Sequence, residues 1–280
     1  MIVLNSGARI NEIKNSEESK RLLAAQRQTY TDAKLVDLVN VCVCLLLPLG
    51  VTVAQIFLIV PSEAIILVWI ATVAVGICLP KRSRRLVDEA AAIQQRFDSD
   101  VFGIKLENAS RDDRRIASQA RRYRERHDDD GKFRLDDWYS VDIEDAKPGD
   151  AIARCQRQNT EWTKRLLKRS ICIEICIAVI VAAALAVLVL RFGVNPFNLF
   201  FLFSIIGWMI QRVVECRDAF ARVGALAYSL SSFRLSSKED ILRVQEKIFE
   251  YRKAPYLVPD WLYTLFKTRD EAATTNLISD

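Results

Sequence analysis

The sequence is poor in the residue types on which most enzyme sites depend. It has a single histidine, His127, within an Arg- and Asp-rich stretch, and no cysteine pair with CxxC spacing. We therefore expect no zinc site, and no Ser or Cys has a histidine placed to act as its base. No glycine-rich loop that could cradle phosphates is found either. The sequence predicts a protein without catalytic activity, metal or cofactor.

Charge is absent from four long stretches of the chain. Asp, Glu, Lys and Arg do not occur in Leu38–Val60, Ala64–Pro80, Ile175–Leu190 or Phe192–Gln211. Apolar runs of about 17 to 25 residues can cross the hydrocarbon core of a bilayer as a helix. Short connections join the first two stretches and the last two. The sequence therefore predicts an integral membrane protein with two transmembrane hairpins and a lipid bilayer as its surroundings.

Positive charge lies on one side of these hairpins. Lys81–Arg85 follows the second stretch and Lys164–Arg169 precedes the third, whereas the two hairpin turns contain only Arg191. Lys and Arg accumulate in cytoplasmic flanks. Both termini and the polar block between the hairpins are thus predicted to be cytoplasmic. The seven cysteines fall in or near the spans or in predicted cytoplasm, where we expect them to be reduced.

The polar segments are predicted to be mostly helical and to form one cytoplasmic domain from the central insert and both termini. Ser16 is a predicted helix N-cap, Val101–Leu106 has the period of a strand, Lys147–Asp150 is a predicted turn, and a helix is expected from Ala151 into the third span. The predicted regions are an N-terminal helix (1–34), hairpin 1 (35–80), a sensor-like insert (81–169), hairpin 2 (170–211) and a C-terminal region (212–280).

The central insert also contains residue types that bind nucleotides. Phosphates favour arginine forks, and bases favour aromatic stacking. Two alternatives stay open: acidic neighbours suggest that many of the arginines lie on a solvated helix face, and Trp138 could anchor packing. The insert has most of the excess positive charge, so we place the ligand site there rather than in the tail. The candidate residues are Arg115, Arg122, Trp138, Tyr139, Arg154 and Arg157.

Few polar side chains lie in or beside the spans. Glu174, Gln55 and Asn198 are the candidates for a pore or gate, because an ionisable or polar group at such a position is often functional. Glu174 could instead pair with Lys168 or Arg169 at the headgroups. Four apolar helices of one chain do not line a wide aqueous pore easily, so a pore would require a homo-oligomer.

Several short motifs, in this order, resemble those of one family of bacterial membrane proteins. The motifs are Leu22–Gln28 with Tyr30 and Ala33–Lys34, Gln95–Asp98 with Val101–Phe102, Asp137–Tyr139, Cys155–Asn159 with Trp162, and Tyr251–Arg252 with Val258–Tyr263. Together they resemble the SMODS-associating four-transmembrane effectors, which are predicted pore-forming proteins of cyclic-oligonucleotide antiphage systems (CBASS).

This resemblance implies a function for the chain. It implies a multi-pass protein of the bacterial inner membrane, a companion nucleotidyltransferase, and a cyclic oligonucleotide that triggers membrane damage and abortive infection; DNA and RNA are not expected partners. It supplies no ligand-site residues. The alternatives are a constitutive or otherwise gated channel or transporter, and a membrane-anchored adaptor.

Overall fold

A computed structural model describes residues 4–57, 61–127, 135–192, 196–232 and 237–266 of the chain. These residues are predominantly helical, and no strand occurs among them. Residues 260–266 are also helical. The named helices are α1 (Gly7–Lys14), α2 (Glu17–Val41), α3 (Leu47–Phe57), α4 (Ser62–Phe102), α5 (Asp113–His127), α6 (Pro148–Phe192), α7 (Pro196–Ser232) and α8 (Lys238–Lys253).

Helix α2 begins as the sequence predicts. The Ser16 hydroxyl accepts a hydrogen bond from the Ser19 amide at 3.2 Å, and Glu17 and Glu18 lie in the first turn, where the helix dipole favours negative charge. Leu22 and Leu23 are fully buried on its inner face. The helix continues into the first apolar stretch, so the polar and apolar parts form one rod.

A π-helical turn, Cys42–Leu46, joins α2 to α3. Only Leu47 separates it from Pro48, which has no amide hydrogen to donate and whose ring clashes with the preceding turn of an ordinary α-helix. A wider turn accommodates both effects. Thr52 then donates its hydroxyl hydrogen to the Pro48 carbonyl at 2.9 Å. The helix therefore widens locally before Pro48, and the chain stays helical through Pro48 and Gly50.

Helices α4, α6 and α7 are long and continuous. Helix α6 has 45 residues, which corresponds to a length of about 68 Å, more than twice the thickness of a hydrocarbon core. The predicted run from Ala151 into the third stretch is confirmed, although the helix begins earlier, at Pro148, so the predicted turn is its first helical turn. Much of each helix therefore extends beyond the region that a bilayer would cover.

The predicted strand at Val101–Leu106 is wrong. Helix α4 continues to Phe102 and ends at Gly103, whose φ of 68° is left-handed. A Cβ at Gly103 would also lie 2.9 Å from the Asn5 side chain, so this end requires glycine. Val101, Phe102, Ile104 and Leu106 are all buried. The alternating pattern arises because a helix end and the loop after it both face the core.

The main hydrophobic core unites distant parts of the chain. It contains Ile10 and Leu22 from the N-terminal helices, Phe97 from α4, Ile152 from α6 and Ile248 from α8. The N-terminal region, the central insert and the C-terminal region therefore fold as one helical domain. A second, smaller core lies nearer the apolar stretches, between α6, α7 and residues 256–262.

Three helical stretches of the described residues are long and apolar enough to cross a membrane: Glu17–Gln55, Glu63–Phe102 and Pro148–Arg191. Large apolar side chains on them, such as Leu67, Ile180 and Leu190, are mostly exposed. Exposed apolar surface of this extent is stable in lipid rather than in water. The chain is therefore a membrane protein. Residues 196–211 of the fourth predicted span are helical within α7.

Candidate functional site

A cavity of about 520 Å³ is lined by residues of both the main and the smaller hydrophobic core. Its walls come from α2, α4, α5, α6, α7, α8, the loop that contains Trp138 and residues 255–263 of the C-terminal region. This volume falls within the usual range for small-ligand sites, about 300 to 1,000 Å³. The walls combine aromatic rings with cations, notably Arg27, Lys34, Trp138, Trp162 and Tyr263. The cavity is therefore suited to a ligand with flat rings and negative charge.

Arg27 is unusual among the cavity residues because its partners are neutral groups. Its guanidinium donates hydrogen bonds to the hydroxyls of Tyr263 (2.9 Å) and Tyr123 (3.4 Å). Its central carbon lies 5.1 Å from the Trp138 ring centroid and 5.5 Å from that of Tyr263. Among the residues that the structure describes, no carboxylate pairs with Arg27. A largely enclosed cation held only by neutral groups retains strong affinity for an anion.

Two indole rings line the same cavity. Trp162 contacts the Tyr263 ring edge to face, with centroids 4.8 Å apart, and Trp138 makes an edge contact with Phe97 at 6.5 Å. The indole N–H groups of both tryptophans are buried and have no hydrogen-bond partner within the described residues. Aromatic faces beside a guanidinium are the groups that bind nucleobases and phosphates.

The cavity wall rests on a buried polar network centred on Asp98. Its carboxylate accepts hydrogen bonds from Arg252 (2.7 Å), Tyr139 (3.0 Å) and Gln156 (3.0 Å). Burial of this ion pair is acceptable because Asp98 receives several donors. Burial also raises the pKa of Tyr30 to about 12, so its hydroxyl stays protonated and donates to the Arg252 carbonyl. The network fixes α8 and α6 against α4.

A second group of charges lies where three apolar stretches begin or end. Arg212 of α7 pairs with Asp37 of α2 (3.0 Å) and with Glu174 of α6 (3.2 Å). Its guanidinium also donates to the Tyr256 hydroxyl at 2.7 Å, and that hydroxyl donates to Glu174. We call Asp37, Glu174, Arg212 and Tyr256 the boundary cluster. It joins α2, α6 and α7 beside their apolar stretches and connects them to the C-terminal region.

Residues 255–266, which we call the C-terminal strap, connect the cavity to the boundary cluster. Tyr256 belongs to the cluster and also lines the cavity. Further along, Asp260 pairs with Lys34 and accepts from the Thr31 hydroxyl, while Tyr263 contacts Arg27. Leu262 anchors the strap in the smaller hydrophobic core. A change at the cavity wall would therefore act directly on the helices that enter the membrane.

Comparison with known families identifies the type of protein. The family model described as the SMODS-associating 4TM effector domain matches residues 8–280. The chain belongs to this family. No curated protein and no solved structure matches it. Membership confirms the resemblance in the motifs, places the chain among membrane effectors associated with CBASS, and implies a companion SMODS nucleotidyltransferase.

The structure separates the ligand-site candidates of this effector. Trp138 lines the cavity, whereas Tyr139 is fully buried in the core behind it. Arg115 pairs with Glu89, and Arg122 holds Asp32 with two hydrogen bonds. These two arginines therefore follow the alternative of paired charges on a helix face.

The two candidates on α6 do not line the cavity. Arg154 donates to the Asp142 carbonyl at 2.9 Å and so fixes the loop before α6. Arg157 is half-buried, and its Nε has no hydrogen-bond partner in the part of the chain that the structure describes. Whether either residue contacts a ligand stays a prediction.

The three pore candidates of the effector lie in different surroundings. Glu174 belongs to the boundary cluster and pairs with Arg212, not with the predicted Lys168 or Arg169. Gln55 lies in α3 with a buried Oε1 that has no partner among the described residues. Asn198 lies in α7, but its side chain is outside the described residues.

Sequence reasoning overlooked the cavity residues on α2 and the strap. Arg27 follows a run of apolar residues, so composition alone suggests a core helix, and the tail seemed a less suitable place for a ligand than the insert. The sequence contained one signal for these residues, which is that they belong to the family motifs, and the structure brings those motifs together at this cavity. Its lining includes Arg27, Lys34, Trp138, Asn159, Trp162, Tyr251, Arg252, Asp260 and Tyr263, all from those motifs.

Proposed function

We propose that this effector is a cyclic-oligonucleotide-gated protein of the bacterial inner membrane. Four spans, from both hairpins, cross the bilayer, and both termini and the helical domain lie in the cytoplasm. A cyclic oligonucleotide made by the companion nucleotidyltransferase during infection binds the cavity. The bound protein then permeabilises the membrane and ends the infection together with the host cell.

The observation that carries this proposal is the set of neutral partners around Arg27. A phosphodiester would replace the neutral phenol oxygens with anionic ones, and so add the attraction between opposite charges to the hydrogen bonds that the guanidinium makes. Trp138 and Trp162 lie in the same walls and offer ring surfaces for the bases. Arg27 is also part of α2, which continues toward the first apolar stretch. Ligand contact and membrane entry therefore share one helix.

Gating requires only that the ligand bind the permeable state more tightly than the resting state. The strap supports such coupling, because it lines the cavity and also belongs to the boundary cluster through Tyr256. Movement of the strap would alter the partners of Arg212, and hence the packing of α2, α6 and α7 at the membrane boundary.

A conducting path requires several copies of the chain. The apolar stretches of α4 and α6 are almost entirely exposed in one copy, and Leu190 is 86% exposed. These surfaces fit lipid or the same surfaces of other copies. We therefore expect ligand to promote homo-oligomers. Cross-linking in membranes that yields only monomers with and without an active ligand would contradict this part of the proposal.

Dye leakage from liposomes tests the proposed function. Purified protein is reconstituted and titrated with cyclic dinucleotides and trinucleotides of adenylate, guanylate and uridylate. We expect one or a few of these to trigger leakage. Arg27→Gln should weaken the response to the active compound by about 10- to 100-fold, since it removes hydrogen bonds to a charged group. Arg121→Gln, at a residue with a 76% exposed side chain on α5, is the matched control.

Other outcomes favour the alternatives. Leakage of equal size without any nucleotide would favour a constitutive channel. No leakage from correctly inserted protein with any compound would favour an adaptor. A response of Arg27→Gln equal to that of the wild type would show that the ligand site lies elsewhere.

A further inference from the structure

Two cations of the cavity, Arg27 and Lys34, already have partners from the C-terminal strap. Tyr263 places its hydroxyl on the Arg27 guanidinium, with its ring against Trp162. Three residues earlier, Asp260 places its carboxylate on Lys34. One helical segment thus supplies an oxygen to each of two cations, and it does so inside the cavity that an anionic ligand would enter.

We infer that the C-terminal strap is a built-in competitor for the ligand. In the resting protein, Tyr263 and Asp260 occupy the positions on Arg27 and Lys34 that the phosphates of a bound nucleotide take. Binding displaces this part of the strap. The inference rests on the proposed function, because it concerns the regulation of the same cavity.

The relative strengths of the contacts give the direction of this competition. A phosphate oxygen carries negative charge, whereas the Tyr263 hydroxyl is neutral, so a phosphate holds Arg27 more strongly. At Lys34 the exchange is closer to even, since one anion replaces another. The ion pair between Lys34 and Asp260 is partly exposed to water, which weakens it and makes its release easier.

Displacement would also be felt at the membrane boundary. Tyr256 bridges Arg212 and Glu174, and only the short segment Leu257–Pro259 separates it from Asp260. Pro255 and Pro259 restrict the backbone on both sides of Tyr256. Tyr256 therefore moves together with the rest of the strap. Displacement of Asp260 and Tyr263 at the cavity therefore also disturbs the contacts of Tyr256 with Arg212 and Glu174.

Two substitutions test the competitor without touching the proposed ligand contacts. Tyr263→Phe keeps the ring on Trp162 and removes the oxygen from Arg27. Asp260→Asn removes the negative charge from Lys34. Each should tighten binding of the nucleotide that is active on the wild type by about 3- to 10-fold, and lower by the same factor the concentration that gives half-maximal leakage. Tyr228→Phe, at a tyrosine that is 74% exposed on α7, and Glu250→Gln on α8 are the controls.

Hydrogen exchange of the wild-type protein supplies an independent readout. Backbone amides of residues 257–266 should exchange faster when the active nucleotide is bound, whereas most amides that line a site become protected on binding. Increased exchange of the strap together with tighter binding of both variants supports the inference.

The possible failures can be told apart. If Arg27→Gln loses binding while Tyr263→Phe and Asp260→Asn bind as the wild type does, and the strap stays protected, the competitor is wrong and the proposed site stands. If Arg27→Gln binds normally, the proposed site is wrong and the competitor falls with it.

Discussion

Arg27 and Arg122 have the same side chain on neighbouring helices, but their partners differ. Arg122 meets Asp32 with hydrogen bonds of 2.6 and 3.1 Å, so its charge is neutralised within the fold. Arg27 meets phenol hydroxyls and ring faces instead. A neutralised guanidinium gains little from an added phosphate, whereas a guanidinium among neutral groups gains much. The role of each arginine is therefore decided by its partners and not by its residue type.

The ion pair between Arg252 and Asp98 should contribute strongly to stability. Both side chains are buried, and removal of the cation would leave a carboxylate with no charge partner in the core. We expect Arg252→Ala to lower the free energy of unfolding by about 3 to 5 kcal/mol. The measurement is denaturant unfolding of the detergent-solubilised protein, with tryptophan fluorescence as the signal.

The neighbouring residue provides the control for this prediction. Lys253 is partly exposed, pairs with Glu250 and lies over the ring of Phe249, which are both neighbours on the same helix. Lys253→Ala should therefore change the free energy of unfolding by less than about 0.5 kcal/mol. If Arg252→Ala lowers the free energy of unfolding no more than Lys253→Ala does, the buried network does not stabilise the fold.

At the scale of elements, the helices matter because they are continuous from the helical domain to the apolar stretches. Helix α2 carries Arg27 and Asp37, which lie ten positions apart on one rod. Helix α6 carries Trp162 and Glu174 in the same way. A rigid helix transmits a displacement from one end to the other without an intervening hinge. Residues of the cavity and of the boundary cluster therefore lie at different positions along the same two helices.

Loss of the boundary cluster should raise leakage in the absence of nucleotide. Arg212→Gln removes the positive charge that Asp37 and Glu174 share, so both carboxylates then repel each other at the membrane boundary. We expect liposomes with this variant to leak several-fold faster without ligand than those with the wild type. Arg217→Gln is the matched control, because Arg217 is exposed and pairs with its chain neighbour Asp218. Unchanged basal leakage would remove the cluster from the proposed gate.

At the scale of the whole molecule, one domain is built from three separated parts of the chain. The main core joins the N-terminal helices, the central insert and the C-terminal region. The two predicted hairpins are insertions between these parts. We therefore expect all three parts to lie on the same side of the membrane, as the basic flanks also predict.

Labelling from outside the cell tests this orientation. In a variant without native cysteines, Glu63→Cys lies in the predicted turn of the first hairpin, and Glu107→Cys lies in an exposed loop of the helical domain. A membrane-impermeant maleimide should label Glu63→Cys in cells with a permeabilised outer membrane. Glu107→Cys should react only after the inner membrane is broken. The reverse pattern would invert the proposed topology.

The sequence by itself determined the membrane character, the helical class and the start of α2, because each depends on local patterns. Long runs without charge require lipid, and a serine before two glutamates caps a helix whatever lies around it. The same local reasoning failed at Val101–Leu106, where alternating apolar residues were buried by a helix end and a loop, which periodicity cannot distinguish from a strand.

Only the tertiary structure decided which polar residues form the site. Arg27, Trp162 and Tyr263 are more than a hundred positions apart, and their meeting depends on how α2, α6 and the strap pack together. Packing likewise buries Tyr139 and neutralises Arg122, although both have suitable chemistry for a nucleotide. Residue type fixes what a side chain can bind, but its partners in the fold determine whether that capacity is free for a ligand.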